Sequence, residues 1–115
     1  MYEYVEINGV KRPVKFGFNA LRKFSKLTGT SIADMEQLGN NMTFDTAIHL
    51  IYCGLMDGCR ASKEEFDYTI DDLGDDLDGD MSAIERCMTL FGEQMGGKET
   101  NEKKNPVKKA KIKKK

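Results

Sequence analysis

A chain of 115 residues is long enough for one small domain and too short for two. Its charge is divided: residues 98–115 hold nine Lys and two Glu, a net of +7, whereas residues 1–97 hold nine basic and 17 acidic residues, a net of −8. So acidic a body repels a phosphate backbone, the chain has no run of about 18 apolar residues to span a membrane, and "MYEYVEING" lacks the basic and apolar regions of a signal peptide.

The first sixteen residues read as a β-hairpin. "YEYVEI" is rich in aromatic and β-branched residues, with Val5 and Ile7 on one side and Tyr2 and Tyr4 on the other. Asn8-Gly9 is the signature of a two-residue type I′ turn, in which both central residues need positive φ. The return strand "VKRPVKF" carries Pro13, which cannot donate to a ladder and so belongs at an edge or a bulge.

From Phe18 the period changes to that of a helix. Ala20, Leu21, Phe24 and Leu27 share a stripe over 18–28, and Thr28-Gly29 ends it, because Gly takes the left-handed C-terminal position readily. A short helix "IADMEQL" over 31–38 follows, capped by Thr30 or Ser31, and "GNN" breaks the chain. Thr43 is the expected N-cap of a longer helix over 43–60, with Phe44, Ala47, Ile48, Ile51, Tyr52, Leu55 and Cys59 as its stripe. Ser62 with Glu65 reads as a capping box for a helix over 63–74 that carries Phe66, Ile70, Leu73 and Leu77. "LGDDLDGD" reads as a break. The last helix spans 80–95, starting near Asp80, with Met81, Ile84, Met88, Phe91 and Met95 as its stripe. The expected fold is therefore α+β and mostly α: an N-terminal hairpin and about four helices over 1–97. Residues 98–115, with only Val107 and Ile112 as large apolar side chains, are expected to form a disordered Lys-rich tail.

Motifs that would carry chemistry fail on inspection. "GEQMGGK" at 92–98 matches the start of a phosphate-binding loop, but Glu99 stands where Ser or Thr should hold Mg²⁺, and a helix precedes it instead of a strand. "GDDLDGDMSAIE" at 74–85 places Asp76, Asp78, Gly79 and Glu85 at positions three, five, six and twelve of a calcium loop, yet position one is Gly74. Cys53, Cys59 and Cys87 lack zinc-ligand spacing and read as reduced thiols in apolar patterns, and His49 is the only histidine. No metal, cofactor or catalytic constellation is expected. Six internal methionines are many for this length; Met35 and Met42, beside the "GNN" break, are expected to be exposed, where flexible side chains suit a partner surface.

The order of these segments resembles the tail assembly chaperones of long-tailed bacteriophages and prophages. The resemblance covers roughly 4–95 and is carried best by "F-x-x-x-A-L-R-x-F-x-x-x-T-G" from Phe16 to Gly29 and "Y-x-G-L" from Tyr52 to Leu55. It implies a non-enzymatic protein that coats the aggregation-prone tape measure protein, keeps it in solution and helps recruit tail tube subunits. It implies several copies per partner, and hence self-association, in the host bacterial cytoplasm and not in the mature virion. It also implies that an extended product of programmed frameshifting can exist. The partner-binding residues expected on the 43–60 helix and just before it are Met42, Tyr52, Leu55 and Met56. The hairpin offers a route to self-association through an edge strand. For the tail, Lys108, Lys109, Lys111, Lys113, Lys114 and Lys115 are expected to dock electrostatically on acidic neighbours. The alternative reading is a small nucleic-acid-binding or regulatory protein that uses this tail; against the −8 body, nucleic acid is not the expected partner.

Overall fold

The computed structural model describes residues 2–31, 34 and 42–96. Of the expected helix at 31–38 only residues 31 and 34 are described, with the Asp34 N–H donating to Ser31 Oγ (3.1 Å); Met35 and the 98–115 tail lie outside the described residues. Strands β1 (Glu3–Ile7) and β2 (Val10–Val14) form an antiparallel hairpin, followed among the described residues by helices α1 (Phe18–Thr28), α2 (Phe44–Ser62), α3 (Ile70–Gly79) and α4 (Ser82–Phe91), with a π-helical turn over Gly92–Gly96. This is the α+β, mostly helical arrangement read from the sequence.

The hairpin turns at Asn8 and Gly9, with φ of 53° and 84°, as a type I′ turn requires. Ile7 pairs with Val10 across a two-residue loop, so that pair exchanges hydrogen bonds and the bonded pairs alternate back to Val5–Arg12 and Glu3–Val14. Pro13 sits opposite Tyr4, at a non-bonded position, where its missing N–H costs the ladder nothing. The strands thus end at Val14, two residues short of the expected Phe16: the Lys15 N–H turns outward to the Gly54 carbonyl of α2 (3.0 Å) and the Phe16 N–H to Gln94 Oε1 (2.7 Å).

One core joins every layer. Val5, Ile7, Val14 and Phe16 from the hairpin meet Phe24 of α1, Leu50, Ile51 and Leu55 of α2, Leu73 and Leu77 of α3, and Cys87 and Leu90 of α4. The helix α2 presses on β2 through Gly54 and Gly58. A Cβ at Gly58 would stand 2.2 Å from the Pro13 carbonyl oxygen, and one at Gly54 2.6 Å from the Phe16 ring. Four-residue spacing puts both glycines on one helix face, and only glycine lets strand and helix backbones approach so closely.

Caps explain the helix ends. Thr43 accepts from the Thr46 N–H (3.1 Å) at the start of α2, and Gly29 closes α1 with φ 75°, both as expected. The capping box lies elsewhere than the sequence suggested. Ser62 ends α2, Lys63 takes a left-handed C-cap, and residues 64–69 carry no regular structure, so Ser62 and Glu65 start nothing. The reciprocal box is formed by Thr69 and Asp72 (3.0 and 2.9 Å), which moves the expected 63–74 helix to Ile70–Gly79. Gly74 and Gly79 therefore lie within α3, and the expected break contracts to Asp80 and Met81. Helix α4 starts at Ser82, not at Asp80, and its N-cap, Met81, makes no side-chain cap. Leu27, Phe44 and Met81, placed on core stripes by periodicity, are exposed instead. Each stands at or beside a helix end, where the stripe runs past the layer beneath it.

Candidate functional site

Nine of the 19 residues of α2 are buried, and its accessible positions include an apolar set beside the polar Asp45, His49 and Arg60. Ile48, Tyr52 and Met56, four residues apart on one face, are each half-buried. The Tyr52 ring packs edge-on against Phe66 (5.4 Å between centroids), and Phe66 in turn against Tyr68 (6.4 Å), so the 64–69 segment extends the stripe sideways as an aromatic row. The Arg12 guanidinium closes the row over the Tyr68 ring at 4.1 Å. Tyr68 also donates to the Asp76 carboxylate. Burial first, and then that carboxylate bond, hold the phenol protonated far above its ordinary range. The row is thus a partly accessible run of uncharged rings that ends at the Arg12–Asp76 ion pair (4.0 Å).

The expected partner-binding residues divide across this surface. Tyr52 and Met56 stand on the accessible stripe. Leu55 does not: it is 1% exposed, packed in the core, and cannot reach a partner. Its place in the helical stripe, one residue ahead of Met56, decides this. Met42, expected to be exposed, packs against the core before α2 begins. The six tail lysines lie outside the described residues. Ile48, Phe66 and Tyr68 were not expected here; the i, i+4 spacing of Ile48 to Tyr52 was the available signal, whereas the aromatic row needs the loop conformation.

A second apolar feature lies at the far end of the hairpin. A cleft of about 490 Å³ is lined by Phe16, Phe18, Met95, Lys15, Glu3 and Glu93, among others. Phe18 stands at its rim, 87% exposed.

A polar network ties the hairpin tip to the last two helices. Asp80 accepts from the Asn8 N–H (2.9 Å), the Ser82 hydroxyl (2.9 Å) and Arg86 (2.7 Å). These bonds, the Asn8 one foremost, hold its carboxyl below the usual range. Arg86 also donates twice to the Glu6 carbonyl (2.9 and 3.1 Å). Nearby, Asn8 donates weakly to Asp76 (3.4 Å). Of the acids of the calcium-like pattern, Asp76 and Asp78 are carried on α3 and Glu85 on the first turn of α4, so they do not share one loop that could wrap a cation. Among the described residues no group of three or more His, Cys, Asp or Glu is placed to hold a metal. The phosphate-loop-like stretch likewise continues α4 as a helical turn, with no strand before it.

The three cysteines are buried and unpaired. Burial pushes Cys53 up to about 11 and Cys87 to about 12, and raises Cys59 as well, which keeps them inert thiols. His49 binds its own helix at the Asp45 carbonyl (2.8 Å). Asp57 is fully buried; its Oδ1 accepts from Arg60 Nε at 2.7 Å, and its Oδ2 has no partner among the described residues. No helix among the described residues is long and apolar enough to cross a membrane. No family model, no curated protein and no solved structure matches this chain.

Proposed function

We propose that this chain acts, without catalysis, as a tail assembly chaperone of a long-tailed phage, binding the tape measure protein and helping to recruit tail tube subunits. The observation that supports it is the half-buried stripe of Ile48, Tyr52 and Met56 with Phe66 beside it, on a body of net −8. Such a stripe offers apolar and aromatic surface to an amphipathic helix, in the manner of helix-in-groove recognition. The surrounding charge keeps a many-copy complex dispersed. The residue order from Phe16 to Gly29 and from Tyr52 to Leu55, which resembles the tail assembly chaperones, directs the choice of partner. A long partner is covered only by many copies, so the chain self-associates along it in the host cytoplasm and is left behind when the tail is complete.

Co-expression with a tape measure protein in bacterial cytoplasm tests the reading. The expected result is a shift of the tape measure protein from pellet to supernatant, with several copies of this chain co-purifying. A tape measure protein equally insoluble with and without it overturns the proposal.

A further inference from the structure

The two edges of the hairpin are treated differently. Ile7, Val5 and Glu3 spend their N–H and carbonyl groups on β2, so the groups that point outward belong to even residues along β1 and to odd residues along β2. On the β2 side α2 covers the edge: the Lys15 N–H is bonded to Gly54, and the Pro13 carbonyl faces Gly58. On the β1 side only the turn end is closed, because Arg86 donates twice to the Glu6 carbonyl and Asp80 accepts from the Asn8 N–H. The Tyr2 carbonyl, the N–H and carbonyl of Tyr4 and the Glu6 N–H have no hydrogen-bond partner among the described residues.

This pattern of free and occupied groups fits a second copy of itself, and in one register. In an antiparallel β1–β1 pair the even residues of the two chains face each other and exchange bonds. Setting Tyr4 against Tyr4 of the second copy gives two bonds between them. Each Glu6 N–H then meets the Tyr2 carbonyl opposite, which gives two more, and both Glu6 carbonyls stay with Arg86. Moving the centre to Val5 asks the Glu6 carbonyl, already held by Arg86, to accept from Tyr4 as well. Moving it to Glu3 sets Glu3 against Glu3, and like charges directly opposite destabilise a pair. In the Tyr4-centred register Glu3 stands opposite Val5, and Glu6 lies between Lys11 of its own hairpin and an uncharged Tyr2.

We propose that two copies of this chain pair through β1, antiparallel about a two-fold axis at Tyr4, into one four-stranded sheet. The half-exposed Tyr4 side chains then stand opposite each other on the outer face, each already edge-on to its own Tyr2 (5.7 Å between centroids). Aromatic pairs across strands add to the bonds. Such a contact uses the same patch on both subunits and closes after two copies, and it covers an edge that would otherwise template aggregation. It names a copy-to-copy contact for the self-association in the chaperone reading without resting on that reading, since it needs no partner protein.

Isotope-filtered NOE spectroscopy on an equal mixture of labelled and unlabelled full chain tests it, at up to about 1 mM because a short edge makes a small interface. The expected result is a contact between the Glu3 and Val5 α-protons of different chains, which face each other at a non-bonded pair; within one chain the two residues stand about 7 Å apart. The Tyr4 and Glu6 amides are expected to exchange at least about tenfold more slowly at high concentration than on dilution to monomer. Contacts of Glu3 with Glu3, or of Val5 with Val5, overturn the register and the proposal with it. So does a chain that sediments as a monomer throughout, or a dimer whose Tyr4 and Glu6 amides exchange as fast as the monomer's, which places its contact elsewhere. Tyr4→Pro removes the outward N–H at the two-fold axis while the β1–β2 ladder keeps its bonds. It is expected to sediment as a monomer with the Val5 amide still protected, and a Tyr4→Pro dimer with that amide protected overturns the assignment; the NOE on the native chain needs no folded variant. Co-expression is scored separately: a solubilised tape measure protein without the β1 contact keeps the chaperone reading and rejects this one.

Discussion

Gly58 has no room for a methyl group. The atom it would strike is a backbone carbonyl, which cannot rotate away, whereas at Gly54 the obstacle is an aromatic ring. Replacing a helical Gly by Ala normally stabilises by about 1 kcal/mol. At Gly58 the overlap outweighs that gain, so Gly58→Ala is expected to destabilise by about 2 kcal/mol or more, and by more than Gly54→Ala, as measured by urea denaturation. Asp57 makes a second residue-scale asymmetry. Its single partner among the described residues is Arg60, half exposed at the helix surface. Arg60→Ala strands a buried carboxylate and is expected to cost about 2 kcal/mol, more than an ordinary surface arginine, by the same measurement. The Gly58 contact was open to sequence reasoning as a four-residue glycine spacing in an apolar helix. The burial of Asp57 was not: one acid beside the core face looks like any other until the elements around α2 are placed.

Among the elements, the hairpin is secured at its tip by groups far away in the chain. Asp80 is the hub, and its lowered pKa sets the sign of a pH effect. A depressed folded-state value contributes stability above the unfolded carboxylate range, and the contribution is lost as pH falls through the folded value. Stability is therefore expected to fall below about pH 4 with a slope to which Asp80 contributes. In Asp80→Asn that part of the acid-side slope is expected to vanish, as read from melting temperatures between pH 2 and 6. Local signals made the hairpin, α1 and the Thr43 cap legible, since Asn-Gly, Thr-Gly and a threonine before a periodic run act within a few residues. The third helix was displaced because two capping boxes compete in sequence, Ser62 with Glu65 and Thr69 with Asp72. The first is disabled by the left-handed turn at Lys63, with φ of 63°, which only tertiary context imposes.

For the molecule as a whole, the core and the accessible stripe make separable demands on neighbouring residues. Leu55→Ala opens a cavity and is expected to cost about 2–5 kcal/mol of stability. Tyr52→Ala with Met56→Ala leaves the core in place and is expected to retain most of the stability while losing tape measure solubilisation in co-expression. If both variants lose binding only in proportion to stability, the stripe is not the binding surface. The buried thiols add an alkaline limit. With Cys53 at about 11 and Cys87 at about 12, the folded chain holds protons that the unfolded chain releases near pH 9. Stability from these groups is complete below that pH and declines as pH rises towards 11. A thiol reagent at pH 8 is accordingly expected to modify the cysteines at the rate of unfolding, with stoichiometric reaction only in denaturant.

The grip of Arg86 and Asp80 on the hairpin also has a consequence for how the protein is made. These contacts span 72 to 80 residues of chain, and Val5 and Ile7 complete their burial against the helix that carries Arg86. During synthesis the hairpin emerges first, and the groups that fasten it arrive last. At 5–20 residues per second the interval is roughly 4–16 s. Throughout it the nascent chain displays an apolar strand with one edge unguarded. Until those groups arrive, such an edge is a template for pairing with any other strand that reaches it.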